Sequence, residues 1–207
     1  MSETRTAPSV RRGRGRRPAA QVRAGVLAAA AGLLFGEGIA AVTFERVAAA
    51  AGSSKMTLYK WWPSPGALAA EAFFAHSEEM LEFPDTGDIE ADLTAQLGAF
   101  VLLLARDGAG VAIAGLIGAA QTDPDLATAW SDNYTRPRRA LAVQALERAR
   151  TRGQIREDVK LDVLVDQLWG ACYHRLLVPD APLDQDIAEA LVRNVLHGAA
   201  APHPSGT

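Results

Sequence analysis

Cysteine occurs once, at Cys172, in a chain of 207 residues. A single thiol excludes an intrachain disulfide and any thiolate metal site of the usual spacing, and it fits a reducing cytoplasm. Histidine is also sparse. His76, His174, His197 and His203 fall on different segments, so no metal is expected. The sequence signatures of serine hydrolases, P-loop enzymes, dinucleotide-binding enzymes and zinc proteases are missing as well. No catalytic residue and no cofactor is therefore expected. Long apolar runs are lacking too. Gly108 to Thr122, among the longest stretches free of Asp, Glu, Lys and Arg, falls short of the roughly 20 residues a membrane span needs.

What is present is charge of opposite sign in the two parts of the chain. Residues 1–64 carry ten Lys and Arg against three acids, a net of +7, while residues 65–207 carry eleven against twenty-one, a net of −10. Such polarity suits a basic module that meets nucleic acid and an acidic module with another task. Met1 to Pro18 is Arg, Gly, Pro and Ser with almost nothing to bury, so residues 1–18 are expected to be a disordered basic arm. Arg16-Arg17 followed by the apolar Ala24 to Phe35 imitates a twin-arginine export signal. Arg23 interrupts that approach, however, and the apolar stretch runs on without a cleavage site, so a cytoplasmic protein is expected.

Ala19 to Phe35 reads as the first helix, with Val22, Val26, Ala30, Leu33 and Leu34 on one stripe and Gly36 and Gly38 at its end. The segment from Thr43 to Trp62, TFERVAAAAGSSKMTLYKWW, reads as helix, tight turn and short helix. Thr43 is a good N-cap for a helix to about Ala50, Gly52 can close it in the left-handed conformation, and Ser53 or Ser54 can cap the next helix. Over about Ser54 to Trp61, Leu58 and Trp62 anchor inward. Lys55, Thr57, Tyr59 and Lys60 are left to supply cations and hydroxyl donors outward. Ammonium groups neutralise phosphates, hydroxyls donate to phosphate oxygens, and a short helix fits a major groove, so this face suits DNA.

Gly38-Ile39, Thr43, Val47-Ala48, Ala51-Gly52-Ser53-Ser54-Lys55, Thr57-Leu58-Tyr59 and Trp62, in that order within about Gln21 to Phe74, resemble the N-terminal domain of TetR-family (tetracycline-repressor-like) transcriptional regulators. Ala114 to Val178, with AAQTDPDLATAW, RPRRAL and YHRLLV, looks like the C-terminal domain of one branch of that family. The resemblance implies an all-α protein of about nine helices, with a three-helix DNA-binding domain over residues 19–64. A helical ligand-binding and dimerisation domain would follow over 65–200, and a tail over 201–207. It implies a repressor that binds a pseudo-palindromic operator in double-stranded DNA as a homodimer. The last two helices, about 161–178 and 183–198, would pair the subunits, and an unidentified small molecule would release the operator. Lys55, Thr57, Tyr59 and Lys60 are then the reading residues, Thr43 and Ser54 helix-start donors, and Arg16, Arg17 and Arg23 backbone contacts. One departure stands out. The family often has Lys where this chain has Pro65, so a common phosphate contact has no side chain to make it.

Beyond Trp62 the pattern is helical throughout, with no convincing strand. Ala67 to about Glu82 is one helix, Ile89 to Leu104 another, and Gly110 to Gln121 reads as a central helix packed on all sides. Asp123-Pro124 starts the next, and Pro137 implies a kink or a division before Gly153. The arginines Arg136, Arg138, Arg139, Arg148, Arg150 and Arg152 read as a solvated, ion-paired face. Phe100, Gln121, Trp130, Tyr134, Trp169, Tyr173 and His174 are candidates to line a ligand site between the helices. The alternative reading, a helical small-molecule-binding or small catalytic protein with a nonspecific basic segment, predicts DNA binding without sequence preference.

Overall fold

The computed structural model describes residues 18–77, 83–105, 108–178 and 180–198. Among these residues every regular element is helical. The α-helices are α1 (Ala19–Glu37), α2 (Phe44–Ala51), α3 (Lys55–Trp61), α4 (Pro65–Ser77), α5 (Ile89–Ala105), α6 (Ala109–Ala120), α7 (Pro124–Trp130), α8 (Arg136–Thr151), α9 (Leu161–Leu177) and α10 (Gln185–His197). The expected basic arm, the last turn of the fourth helix after Ser77 and the C-terminal tail fall outside the described residues.

Local chemistry sets most of the boundaries. The Thr43 hydroxyl oxygen accepts the Arg46 N–H at 3.2 Å, and Ser54 accepts the Thr57 N–H at 3.2 Å. Each oxygen satisfies a helix-start donor that would otherwise be orphaned. Gly52, at φ 59° and ψ 38°, takes the left-handed conformation that ends α2, and Ser53 N–H returns to Ala48 O at 3.0 Å. Ser64 caps α4 through Ala67 N–H at 3.1 Å, and Pro65 occupies the first helical position, where its missing N–H costs nothing.

Pro137 is accommodated without a break. A π-helical turn, Ser131–Thr135, joins α7 to α8, and the Arg136 N–H reaches back five residues to Ser131 O. The wider turn relieves the crowding a proline imposes on the turn before it. With α7, this turn and α8 taken as one rod, the described residues form the nine helices expected.

α1 is packed by α2 and α4, α4 by α1 and α7, and α5 by α10. By length and composition α1 could cross a membrane, with a mean hydropathy of 1.4. In the fold it is a core helix, burying Val26, Ala30, Ala31 and Leu34. α6 departs from expectation. Ala112, Ile113 and Leu116 are buried, but Val111 is 72% exposed, so the helix lies with one side open rather than wrapped. Its small residues serve close approach on that one side: a Cβ on Gly115 would come 3.3 Å from Ile39. Where α4 meets α7 the approach is closer still. A Cβ on Gly66 would lie 2.9 Å from the Asp123 carboxylate and 3.0 Å from Leu126, so only glycine fits there.

Candidate nucleic-acid interface and ligand cavity

α3 is held from beneath and open above. Leu58 is fully buried and Trp62 nearly so, in the same apolar cluster as Phe44 and Val47 of α2. Lys55, Tyr59 and Lys60 stand on the exposed side of the same helix, and Thr57 is half-buried. Tyr59 leans edge-on over Phe44, with ring centroids 4.6 Å apart, which fixes the ring while leaving the side chain 59% exposed. Thr43 and Ser54 accept from the backbone, and the Ser54 and Thr57 hydroxyls lie 2.9 Å apart. One proton of that hydroxyl pair, and that of Thr43, remain to be donated outward.

Lys55 is engaged within the protein. Its Nζ lies 2.8 Å from Glu45 Oε1, a bond that raises the lysine pKa and lowers that of the carboxyl. Arg46 pairs likewise with Glu37 at 2.7 Å. Arg23, expected as a phosphate contact, is also engaged within the protein. Both terminal guanidinium nitrogens donate to the Glu71 carboxylate, one of them at 2.8 Å, and the guanidinium carbon sits 5.1 Å from the centre of the Trp62 ring. The Trp62 indole N–H donates to the same carboxylate at 2.8 Å. The Glu71 carboxylate is therefore the middle of a clasp that joins α1, the end of α3 and α4. Arg16 and Arg17 lie outside the described residues. Met56, not among the expected site residues, is 77% exposed on α3 between Lys55 and Thr57.

Five of the seven ligand-site candidates converge in the C-terminal domain. Trp130 and Tyr134 stack at 4.4 Å, both rings abut Phe73 of α4 at 5.6 and 5.3 Å, and Phe100 meets Tyr173 edge-on at 5.4 Å. Trp169 lies 6.4 Å from Phe83. Burial pushes the Tyr134 pKa up to about 12 and that of Tyr173 well above its ordinary value. Both therefore stay protonated. Gln121 and His174 are not brought in: both are exposed, and the Gln121 amide donates to Ile117 O of its own helix at 3.1 Å. Cys172 is buried, its thiol pKa raised to about 11 by desolvation, which leaves it unreactive.

Beside this cluster lies a cavity of about 160 Å³ between α8 and α9, walled by Thr135, Arg138, Arg139 and Ala142 on one side and Val165, Asp166, Trp169, Gly170 and Tyr173 on the other. The basic residues of α8 follow the ion-paired expectation, Arg139 pairing with Asp166 at 2.6 Å. Arg136 pairs with Asp132 at 2.5 Å, and Arg148 and Arg152 share Asp85 at 2.9 and 2.7 Å. Arg138 and Arg139 at a cavity were missed. The signal was available, because 135, 138, 139 and 142 recur at helical spacing from the π turn into α8, opposite 165, 169 and 173 on α9, which stacks two facing stripes. Among the described residues no group of three or more His, Cys, Asp or Glu could hold a metal ion.

A capped helix-turn-helix with an outward cationic second helix, joined through α4 to a helical domain with an aromatic interior, defines a two-domain DNA-binding regulator. The sequence pattern described as bacterial regulatory proteins, tetR family, matches residues 26–72, and the tetracyclin repressor-like C-terminal domain matches 83–195. The chain belongs to the TetR family of transcriptional regulators. It is 33% identical over 177 residues to the HTH-type transcriptional regulator YdeS of Bacillus subtilis, an alignment covering 85% of this chain and 88% of that one. It is 30% identical to the DNA-binding transcriptional repressor TetR of Mycobacteroides abscessus, over 84% of this chain and 90% of that one. The crystal structure of the TetR family transcription regulator SCO0332 superposes with a TM-score of 0.80 at 57% identity, covering 87% of this chain and all of the other. FadR from Bacillus subtilis, solved in complex with stearoyl-CoA, shares the fold at a TM-score of 0.64 and 13% identity, over 86% of this chain and 99% of that one. The chain is thus an HTH-type DNA-binding regulator with a ligand-binding C-terminal domain. TetR-family regulators bind operator DNA, act as dimers with small-molecule effectors and are typically cytoplasmic.

Proposed function

We propose that the protein is a homodimeric repressor of the cytoplasm. It reads a pseudo-palindromic operator with α3 and leaves it when a small molecule occupies the C-terminal domain. The observation that carries this reading is the rigid outward presentation of Lys55, Thr57, Tyr59 and Lys60 over the buried Leu58 and Trp62. Lysines take phosphates, and Tyr59 and Thr57 reach base edges near the start of the helix. Thr43 and Ser54 donate to phosphate from the two helix starts, and Arg16 and Arg17 follow the backbone from the arm. The functional division runs 1–18 arm, 19–64 reader, 65–200 effector and pairing domain, 201–207 tail.

Pairing through α9 and α10 would cover Val163, Leu177 and Val178, each 44–45% exposed in the single chain. It would set two readers about 34 to 36 Å apart, or a multiple of that, along one duplex face. A ligand that binds better where the readers are mis-spaced shifts the population off DNA by that difference in affinity.

Selection of bound sequences from random DNA tests this: a palindrome with two half-sites is expected, and recovery of no consensus would reject it. On the selected site, Tyr59→Ala and Lys55→Ala should each weaken binding by about tenfold or more at fixed salt. The dimer should stay intact by analytical ultracentrifugation.

A further inference from the structure

The face that α3 turns outward is not wholly polar. Lys55, Met56, Tyr59 and Lys60 are exposed on it, and Met56, at 77%, is the most exposed large apolar side chain among the described residues. Spacing puts Met56 at the centre of that face. Tyr59 follows three residues on and Lys60 four, so both stand beside it on the helix surface. Tyr59 is held edge-on over Phe44, and the Lys55 ammonium is held by Glu45 at 2.8 Å, whereas Met56 lies outside the apolar core.

An apolar side chain kept in water between two lysines, on a helix that meets DNA, calls for an apolar group on the DNA. The base pairs offer one. In the major groove the C5-methyl group of thymine projects beside the hydrogen-bonding atoms, while cytosine, adenine and guanine are told apart there by donors and acceptors, and the minor groove carries no methyl group. Methionine suits that contact, because an unbranched chain with a polarizable sulfur fits against a methyl group without demanding one geometry. It has no N–H or O–H to donate and no charge to neutralise a phosphate, so what it adds to binding is apolar contact.

We propose that Met56 is a specificity-determining residue that reads thymine, its Sδ and Cε packing on the C5-methyl group of one thymine in each half-site. The assignment rests on the reading of α3 as the helix that enters the major groove, and it names a base that one position of that helix selects. The outward residues then divide the work. Lys55 and Lys60 take phosphates, Thr57 and Tyr59 offer hydroxyls, and Met56 supplies an apolar contact.

The test uses the full-length protein on the operator recovered by selection, with uracil replacing thymine at one half-site position at a time in mobility-shift titrations. Uracil keeps every hydrogen-bonding atom and lacks only the methyl group. One thymine per half-site is expected at which the exchange weakens binding about fourfold, the worth of one methyl group removed from water, and about fifteenfold when both half-sites carry it. Met56→Ala should bind the thymine and uracil operators equally, and Met56→Leu, which keeps an apolar side chain, should retain the preference. An apolar contact releases no counterion. Met56→Ala should therefore leave the salt dependence unchanged, whereas Lys60→Ala should lower it by about one ion. Equal binding of thymine and uracil at every position by the unsubstituted protein, a half-site without thymine, or a uracil penalty that persists in Met56→Ala would each overturn the assignment. Tyr59→Ala and Lys55→Ala separate the two readings. If they weaken operator binding while uracil has no effect, Met56 is rejected and α3 remains the reader. If they bind as the unsubstituted protein does, α3 is not the reader and both readings fall.

Discussion

In the reader, Thr43, Gly52, Ser54, Leu58 and Trp62 fix two helices within twenty residues of chain. The aromatic cluster of the C-terminal domain instead draws on Phe73, Phe100, Tyr134 and Tyr173, a hundred residues apart at its extremes. The short-range device turns its polar groups outward, with hydroxyl protons and ammonium groups held ready for a partner. The long-range device turns them inward, where rings pack on rings and burial keeps two phenols protonated. A surface that must meet DNA in one register is best set by local caps, which hold whatever the rest of the chain does. A cavity whose occupancy must be felt elsewhere is best assembled from helices that can shift against one another.

The comparison breaks most sharply at Leu58. It has no exposed surface, and Leu58→Ala should cost about 2 to 5 kcal/mol. Thermal unfolding should show that loss, and operator binding should go with it, if α3 depends on this one anchor. A smaller effect sharpens the view that the reader holds its charges in reserve. Glu45→Gln removes the carboxylate 2.8 Å from Lys55 and should tighten operator binding by a few fold, with the salt dependence steeper by about one ion. Unchanged affinity would mean that Lys55 never meets phosphate. The smallest effect lies far from both sites. Asp85, bonded chiefly to Arg152 and also facing Arg148, has its pKa held below the usual carboxylate value. Its contribution is complete above the unfolded pKa of about 3.9 and is lost as pH falls through the lower folded value. Asp85→Asn should therefore be less stable near pH 7, with the difference shrinking as the pH falls below the unfolded pKa of about 3.9, as urea titrations over that range would show.

The reader was legible almost residue by residue because its determinants are nearest-neighbour ones: an N-cap oxygen, a left-handed glycine, a leucine and a tryptophan four apart. Pro65 as a helix start and Pro137 as a disturbance were legible for the same reason. What pattern could not supply was partnership across the chain. Arg23 looks like a free cation at the start of a helix until Glu71, 48 residues on, is brought beside it. Gln121 and His174 carry useful side chains but lie on outward faces, and a polar side chain in an apolar stretch does not announce which way it turns. Arg138 and Arg139 were visible as charge and hidden as cavity wall, since that role needs α9 as the opposite side.

The triple grip of Glu71 has a mechanical outcome. One carboxylate on α4 holds a guanidinium from the first helix and an indole from the end of the third, so the three helices cannot be tilted separately. Loss of that carboxylate would untie the first helix and the end of the third from α4 in one step, and the helix that carries Tyr59 would lose its polar tether to the helix that leads into the C-terminal domain.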